Sequence, residues 1–456
     1  MFARAADCSW KRVTYFATAV VIVTIFLSAG SDKGSPSLIA KAGLVKRGQQ
    51  TLQAEAEHPE SSMVKKSSKE VVLVTGGLGF IGSHVVEEFL ERGLKVVILD
   101  DESNGHNHNN RAKEVSGDIT VVSDLSKLDK VGVDYIVHLA AAISVAESMK
   151  KPEKYERINI DGSRKVLEWA KKNKVKNVVA ASSAAVYGNP DKDKLPLKES
   201  EPYAGLSPYA KSKWDMEGIM SEFWTKHKLP STALRFFNVY GPRQDPANPY
   251  SGVISLFMQQ GADSKDVKIL GDGMQTRDFV YVKDVAKAIA KALLRPSPKG
   301  HGAYNVCTGH TITINELAKT VIKLWGSETT SKVVHGEARD GDIKHSACRP
   351  DNAEKEIGFK ATMKVEEGLG KTLDWFKEKS NSKGGKFDAK KLPKEDTGET
   401  KKDVKEKKED KEEDKKEGKK EDKEGGNVEQ KQGKGDKEEP KEEKNDKKKG
   451  DDKKEE

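Results

Sequence analysis

Cysteine is scarce in this chain. Three occur in 456 residues: Cys8, Cys307 and Cys348. Cys8 lies ahead of the first apolar segment. The two that remain are too few for a disulfide framework, and no metal-ligand spacing appears. The sequence therefore predicts a body that is neither stapled nor metal-bound. Apolar residues almost vanish beyond Lys379, where Lys, Glu, Asp and Gly take over. Such a stretch cannot bury a core, so 379–456 is expected to be a disordered, solvated tail. Charge is missing from residues 13–29, an apolar run preceded by Arg4, Lys11 and Arg12. Residues 1–30 read as a secretory targeting element, either a cleaved signal peptide or a signal anchor. The basic flank favours a lumenal body, held to the membrane through 13–29 if the segment is uncleaved. The expected location is the ER/Golgi, single-pass type II or lumenal. The net charge of +8 is unevenly placed and does not point to nucleic acid. Residues 31–69 are polar without periodicity and read as a linker or stem. The folded body is expected over about 70–378.

What the body does contain is a strand–turn–helix–strand unit. Val71-Val-Leu-Val-Thr75 runs into Gly76-x-x-Gly79-x-x-Gly82. Phe80, Ile81, Val85, Val86, Phe89 and Leu90 follow at helical spacing. A second apolar run, Lys95–Asp100, ends in two acids, Asp100 and Asp101. One glycine permits a tight turn and one admits a pyrophosphate. The third lets the helix pack on the strand. The helix start at Phe80 and Ile81 would aim free N–H groups at the phosphates. Asp100 stands where a carboxylate can bind both ribose hydroxyls of NAD. With Asp101 it would repel a 2′-phosphate, which favours NAD over NADP.

The βα alternation continues. Val133–Leu139 reads as a strand ending in small residues, and a helix is expected over about 154–172. Asn177–Ser183 reads as a strand whose C-terminal end carries two hydroxyls. Ligands in open α/β sheets bind beyond such strand ends. Tyr209 and Lys213 then stand four apart on one predicted helix face. A free tyrosine is a poor base near neutral pH. A nearby ammonium lowers its pKa, which would make Tyr209 a general base for a sugar or alcohol hydroxyl, with Ser183 in the same proton network.

With these elements the chain resembles the extended short-chain dehydrogenase/reductases, and within them the NAD-dependent nucleotide-sugar 4-epimerases. The motifs that carry the resemblance are Thr75-Gly-Gly-Leu-Gly-Phe-Ile-Gly82, Gly117-Asp-Ile119, His138-Leu-Ala-Ala141, Ser182-Ser-Ala-Ala-Val-Tyr-Gly188, Tyr209-Ala-Lys-Ser-Lys213, Leu234–Pro242 and Gly271–Asp278. The resemblance implies a Rossmann-type doubly wound parallel sheet over 70–240. A smaller nucleotide-sugar subdomain would occupy mainly 241–378. It implies that Asp118 and Ile119 flank the adenine and that Leu139, Ala140 and Ala141 line the cofactor cleft. Asn159 would complete the active-site network. Asn238, Arg277, Arg339 and Asp342 would hold the uridine and diphosphate of a UDP-sugar. The helices over 153–176 and 206–227 would build a homodimer interface. Ser346 matches a pocket-wall position that is a bulky tyrosine in relatives restricted to UDP-glucose and UDP-galactose, and a small residue in those that also accept N-acetylated sugars.

The resemblance leaves the reaction open among several. Dehydratases of the group carry Asp-Glu after the strand-end hydroxyl, and UDP-glucuronate decarboxylases a Glu. Here Ala184 and Ala185 stand there, which favours simple C4 epimerisation. The apolar N-terminal segment pulls toward a UDP-glucuronate decarboxylase or 4-epimerase. A non-catalytic NAD sensor is the remaining alternative, and intact Ser183, Tyr209 and Lys213 argue against it.

Overall fold

The computed structural model describes residues 69–382 apart from 247, 249–251, 296–298 and 339–341. Residues 1–68, the tail beyond 382 and Arg339 lie outside the described residues. Six strands come from the first half of the body: β1 (Val71–Thr75), β2 (Lys95–Asp100), β3 (Lys113–Ser116), β4 (Tyr135–His138), β5 (Asn177–Ser183) and β6 (Ser231–Phe236). A seventh, His301–Val306, returns from beyond residue 240 and pairs with β6. The sheet runs His301–Val306, β6, β5, β4, β1, β2, β3, and every pairing in it is parallel. The segment 241–378 therefore supplies both the smaller subdomain and one strand of the seven-stranded sheet.

Parallel strands buried on both faces read as continuous apolar runs, and β1 is buried at every position. Its alternation divides the core. Val72 and Val74 pack with Val85, Val86 and Phe89 of α1 (Phe80–Glu91). Val285, Ile289 and Leu293, within the later helix Val282–Leu294, join them. Val71 and Leu73 point the other way, to Val166 and Leu167 of α2 (Ser163–Lys172) and to Met216, Met220 and Phe223 of α3 (Pro208–His227). The chain winds outward from β1 in both directions, so the order reverses between β1 and β4. That switch point opens a crevice beyond the strands' C-terminal ends.

A third core gathers Tyr240, Phe257, Ile269, Phe279, Leu317, Trp325, Leu373 and Phe376 in the smaller subdomain. Its three-stranded sheet places Thr276–Arg277 between Ile312–Thr313 and His345–Ser346.

Two expectations need correction. The helix expected over 154–172 is interrupted: Glu156–Gly162 forms a π-helical turn before α2 begins. Such turns widen the hydrogen-bond ladder and shift which side chains face inward. The body is also stapled. Cys307 and Cys348 form a disulfide across a separation of 41 residues. Cysteine scarcity does not forbid one bridge. Cys307 follows the seventh strand and Cys348 follows the strand His345–Ser346, and both bury against Val186, Tyr187, Leu197 and Phe237.

Candidate active site

The glycine-rich turn behaves as its spacing demands. Gly76 has φ +71°, and a Cβ there would come within 2.7 Å of the Ala140 nitrogen. A side chain at Gly82 would meet the Gly76 carbonyl oxygen at 2.1 Å, so α1 can approach β1 only as glycine. Gly79 is the N-cap of α1. It makes no side-chain cap, and the first turn carries no acid. The first-turn amides of any helix lack intrahelical partners; here the start of α1 is left as a cradle for an anion.

Asp100 closes the cradle from β2. It is buried, and its carboxylate accepts the Leu78 amide and the Glu102 amide, each at 2.9 Å. Two acceptor sites on each oxygen leave capacity for a diol. Burial raises its pKa. Asp101 instead turns to its own loop and accepts from Ser103. Asp118 accepts the Thr120 amide at 2.7 Å, while Ile119 is buried beneath α2. Leu139, Ala140 and Ala141 are half-buried across the switch point. These residues fit a dinucleotide: an uncapped helix start for the pyrophosphate, a carboxylate for the ribose and small residues for a flat ring.

Beyond β5 and β4 the catalytic candidates converge. Ser207 caps α3 by accepting the Ala210 amide at 3.1 Å, with Pro208 at its first position. Tyr209 and Lys213 therefore fall in the first two turns, facing β5. Ser183 lies close enough to the Tyr209 phenol to favour its phenolate, and its hydroxyl accepts the Ala185 amide at 3.1 Å. Tyr155 packs edge-on against Tyr209, ring centroids 6.3 Å apart. Lys213 is 4% exposed. It donates to the Ala181 carbonyl at 2.8 Å, and burial lowers its pKa to about 8.

The expected lowering of the Tyr209 pKa by Lys213 is not what the geometry gives. Burial raises the phenol's pKa, the neighbouring Ser183 opposes it, and Lys213's ammonium is turned to a backbone carbonyl. The activating charge that remains for the phenol is the one a bound nicotinamide ring would bring. Asn159 also takes a different part. It is buried in the π-helical turn. Its amide oxygen accepts the Ala142 N–H at 2.8 Å, and its nitrogen donates to the Ala142 carbonyl at 3.0 Å and to Ser212 at 2.9 Å. It ties the loop after β4 to α3, and its bonds run to neither Tyr209 nor Ser183.

The expected substrate residues sit on the smaller subdomain. Arg277 pairs with Asp342 at 2.8 Å, and Ser346 lies beside Arg277 in parallel register. Asn238 donates to the Asp278 carbonyl at 2.8 Å. An arginine already neutralised by a carboxylate must exchange that partner to grip a diphosphate. Sequence reading missed Gly77, where a side chain would strike Ile98 at 2.8 Å. It also missed Glu217 and Arg235, described below. Among the described residues no cluster of three or more His, Cys, Asp or Glu could hold a metal ion. No described helix is long and apolar enough to cross a membrane, and residues 13–29 lie outside the described set.

Residues 72–307 match the model of the NAD dependent epimerase/dehydratase family. A putative UDP-glucose 4-epimerase from Methanocaldococcus jannaschii is 36% identical over 310 residues, 67% of this chain and 98% of that protein. A UDP-N-acetyl-alpha-D-glucosaminuronate decarboxylase from Bacillus cytotoxicus is 33% identical over 335 residues, 69% of this chain and 99% of that one. Among solved structures, the UDP-N-acetylglucosamine 4-epimerase of Methanobrevibacter ruminantium, in complex with UDP-N-acetylmuramic acid, is 38% identical with a TM-score of 0.63. That match covers 68% of this chain and 99% of that one.

Proposed function

This chain belongs to the NAD-dependent epimerase/dehydratase family, and we propose that it inverts C4 of a UDP-hexose by transient oxidation to a 4-keto sugar. The observation that carries this reading is the Ser183–Tyr209–Lys213 grouping, followed by Ala184 and Ala185 where elimination or decarboxylation would need a carboxylate. NAD, when bound, supplies the hydride acceptor and donor. The chain's residues manage the proton and the position. Tyr209 takes the proton of the sugar's 4-hydroxyl through the Ser183 hydrogen bond and later returns it. Lys213 holds the end of β5 through the Ala181 carbonyl, and a bound nicotinamide ring would favour the phenolate over the phenol. Asn159 fixes the loop after β4 against α3. Arg277, Asn238 and Asp342, with Arg339, form the anchor for uridine and diphosphate, leaving the sugar free to turn about its linkage. A guanidinium suits this work because it can meet a phosphate with two parallel hydrogen bonds. Asp100 and Asp101 select NAD over NADP, since two carboxylates repel a 2′-phosphate.

The sugar is a hexose of the UDP-glucose/UDP-galactose pair, and Ser346 extends the range to UDP-GlcNAc/UDP-GalNAc. The 38% identical UDP-N-acetylglucosamine 4-epimerase supports this extension. The full-length protein, loaded with NAD, should interconvert these pairs without net change in cofactor. UDP-glucuronate decarboxylation is the second reading, favoured by the Bacillus cytotoxicus relative and opposed by Ala184 and Ala185. Product analysis across UDP-Glc, UDP-Gal, UDP-GlcNAc, UDP-GalNAc and UDP-GlcA decides: CO2 and UDP-xylose from UDP-GlcA alone would replace epimerisation. NAD binding with no turnover of any of the five would leave the sensor reading. Pairing of two copies through the faces of α2 and α3 and a lumenal location are further parts of this proposal.

A further inference from the structure

The helix that carries Tyr209 and Lys213 bears a third buried ionisable group. Glu217 lies one turn beyond Lys213 on α3 and is 7% exposed. Its Oε1 accepts the Ser182 hydroxyl at 2.5 Å and Arg235 Nε at 2.9 Å, and its Oε2 accepts Arg235 Nη2 at 2.7 Å. Arg235, on β6, is 3% exposed. Its guanidinium lies over the Tyr187 and Trp214 rings, at 5.1 and 5.4 Å. Its Nη1 donates to the Tyr187 hydroxyl at 2.9 Å and to the Glu199 carbonyl at 3.1 Å.

The pattern of contacts is sequential. Ala181, Ser182 and Ser183 are consecutive on β5 and each meets one residue of α3: Lys213 donates to Ala181, Glu217 accepts from Ser182, and Tyr209 lies beside Ser183. A buried ion pair is a weak source of stability, because desolvating two charges consumes most of their attraction. An apolar pair would fill this space at least as well. Its place one turn from Lys213 and one residue from Ser183 calls for another account.

We propose that Glu217, oriented by Arg235, is a positioning residue for the reaction. It sets the register in which Ser183 meets Tyr209, and its negative charge keeps Lys213 an ammonium in a dry seat. This deepens the reading of Tyr209 and Lys213 as the proton-handling pair and rests on it.

Burial pulls the Lys213 pKa down to about 8, and Glu217 is the charge that opposes the pull. The other groups around Lys213 are Tyr209 on its own helix, His138 from the end of β4 and Arg235 from β6; β5 presents a carbonyl and hydroxyls. His138 is held near 3 by burial and stays neutral at working pH. Lys213 therefore loses its charge as pH rises, and the alkaline limb of turnover follows it. Removing Glu217's charge lowers the Lys213 pKa, so that limb should move to lower pH.

The test uses full-length, NAD-loaded enzyme and three variants. E217Q removes the charge and keeps the shape. E217Q/R235M removes the whole pair and leaves no unpaired charge, which keeps the test alive if E217Q does not accumulate. R235K retains both charges and breaks only the fork. The expected result is an alkaline limb at lower pH in E217Q, a smaller move with reduced turnover in the double variant, where Arg235's opposing charge leaves together with Glu217's, and an unmoved limb in R235K. The second readout needs no substrate: the titration of Lys213, followed by carbon-13 NMR of labelled lysine and assigned as the signal absent from K213M, should move to lower pH in E217Q. A limb and a Lys213 titration left in place in E217Q, or a wild-type pH profile and turnover in the double variant, would make the pair a structural strut and overturn the proposal. Wild type that turns over none of the UDP-sugars, with a Lys213 titration that still responds to E217Q, would instead overturn the epimerase reading and leave the role of Glu217 standing.

Discussion

Breaking the Cys307–Cys348 bridge should weaken both the fold and the grip on the sugar nucleotide, by amounts the structure sets. The bridge spans 41 residues of sequence. In the chain-entropy model, closing a loop of that length removes about 13 cal/mol/K from the unfolded state, or about 4 kcal/mol at 25 °C. For a cooperative body of about 300 residues, unfolding entropy near 2 cal/mol/K per residue converts this to about 6 °C in Tm. The substrate side should suffer more than the cofactor side. Cys348 is two residues from Ser346 and follows the strand that borders Arg277. Cys307 follows the seventh strand, at the sheet edge opposite β3. Backbone bonds also tether that wall, among them Leu197 N–H to the Ala347 carbonyl and Arg349 N–H to the Leu197 carbonyl, both 2.9 Å. The assay compares wild type, wild type reduced with a phosphine, and the C307A/C348A variant. Thiol counting in denaturant should find one free thiol, Cys8, in the full-length protein and three after reduction. Tm should fall by several degrees, and KM for the UDP-sugar should rise with NAD affinity unchanged. Three thiols before reduction, or a bridge whose loss leaves Tm within one degree and KM unmoved, would refute the reasoning. A structural disulfide persists in oxidising compartments, so one free thiol would also add weight to the secretory expectation drawn from residues 13–29.

Y209F should fold and bind NAD but lose about 10²–10⁴-fold in turnover, the usual worth of a positioned proton-transfer group; activity within a few-fold of wild type would remove Tyr209 from the mechanism. S346Y should depress turnover of UDP-GlcNAc and UDP-GalNAc while sparing UDP-Glc and UDP-Gal, and equal losses on both pairs would mean that Ser346 does not wall the pocket. G82A should destabilise the body and weaken NAD binding, because the new methyl would lie 2.1 Å from the Gly76 carbonyl oxygen; unaltered Tm and NAD affinity would show that α1 can retreat without cost. A fluorescent fusion of residues 1–69 should enter the secretory pathway, and a diffuse cytosolic signal would count against the targeting reading.

What depends on near neighbours along the chain was legible before any packing was known. The run Val71–Thr75, the glycines at 76, 79 and 82 and the acid at Asp100 form one strand–turn–helix–strand unit, and each element's signal lies within its own few residues. Asn177–Ser183 was legible end to end, since an apolar run closing on hydroxyls is local information. So was the Tyr209–Lys213 face, because helix geometry alone places residues four apart together. Which distant residues meet was settled by packing. Cys307 and Cys348 are joined because the chain returns to the sheet after residue 240 and lays His301–Val306 beside β6, next to the wall that carries Ser346. Glu217 finds Arg235 and Ser182 because sheet order puts β6 next to β5 and α3 over both. The π-helical turn swings Asn159 onto Ala142 and Ser212, and Lys213 donates to a carbonyl that no spacing in α3 could announce. In each case strand order and burial set the partner, and strand order is a property of the whole chain's packing that no short stretch of it encodes.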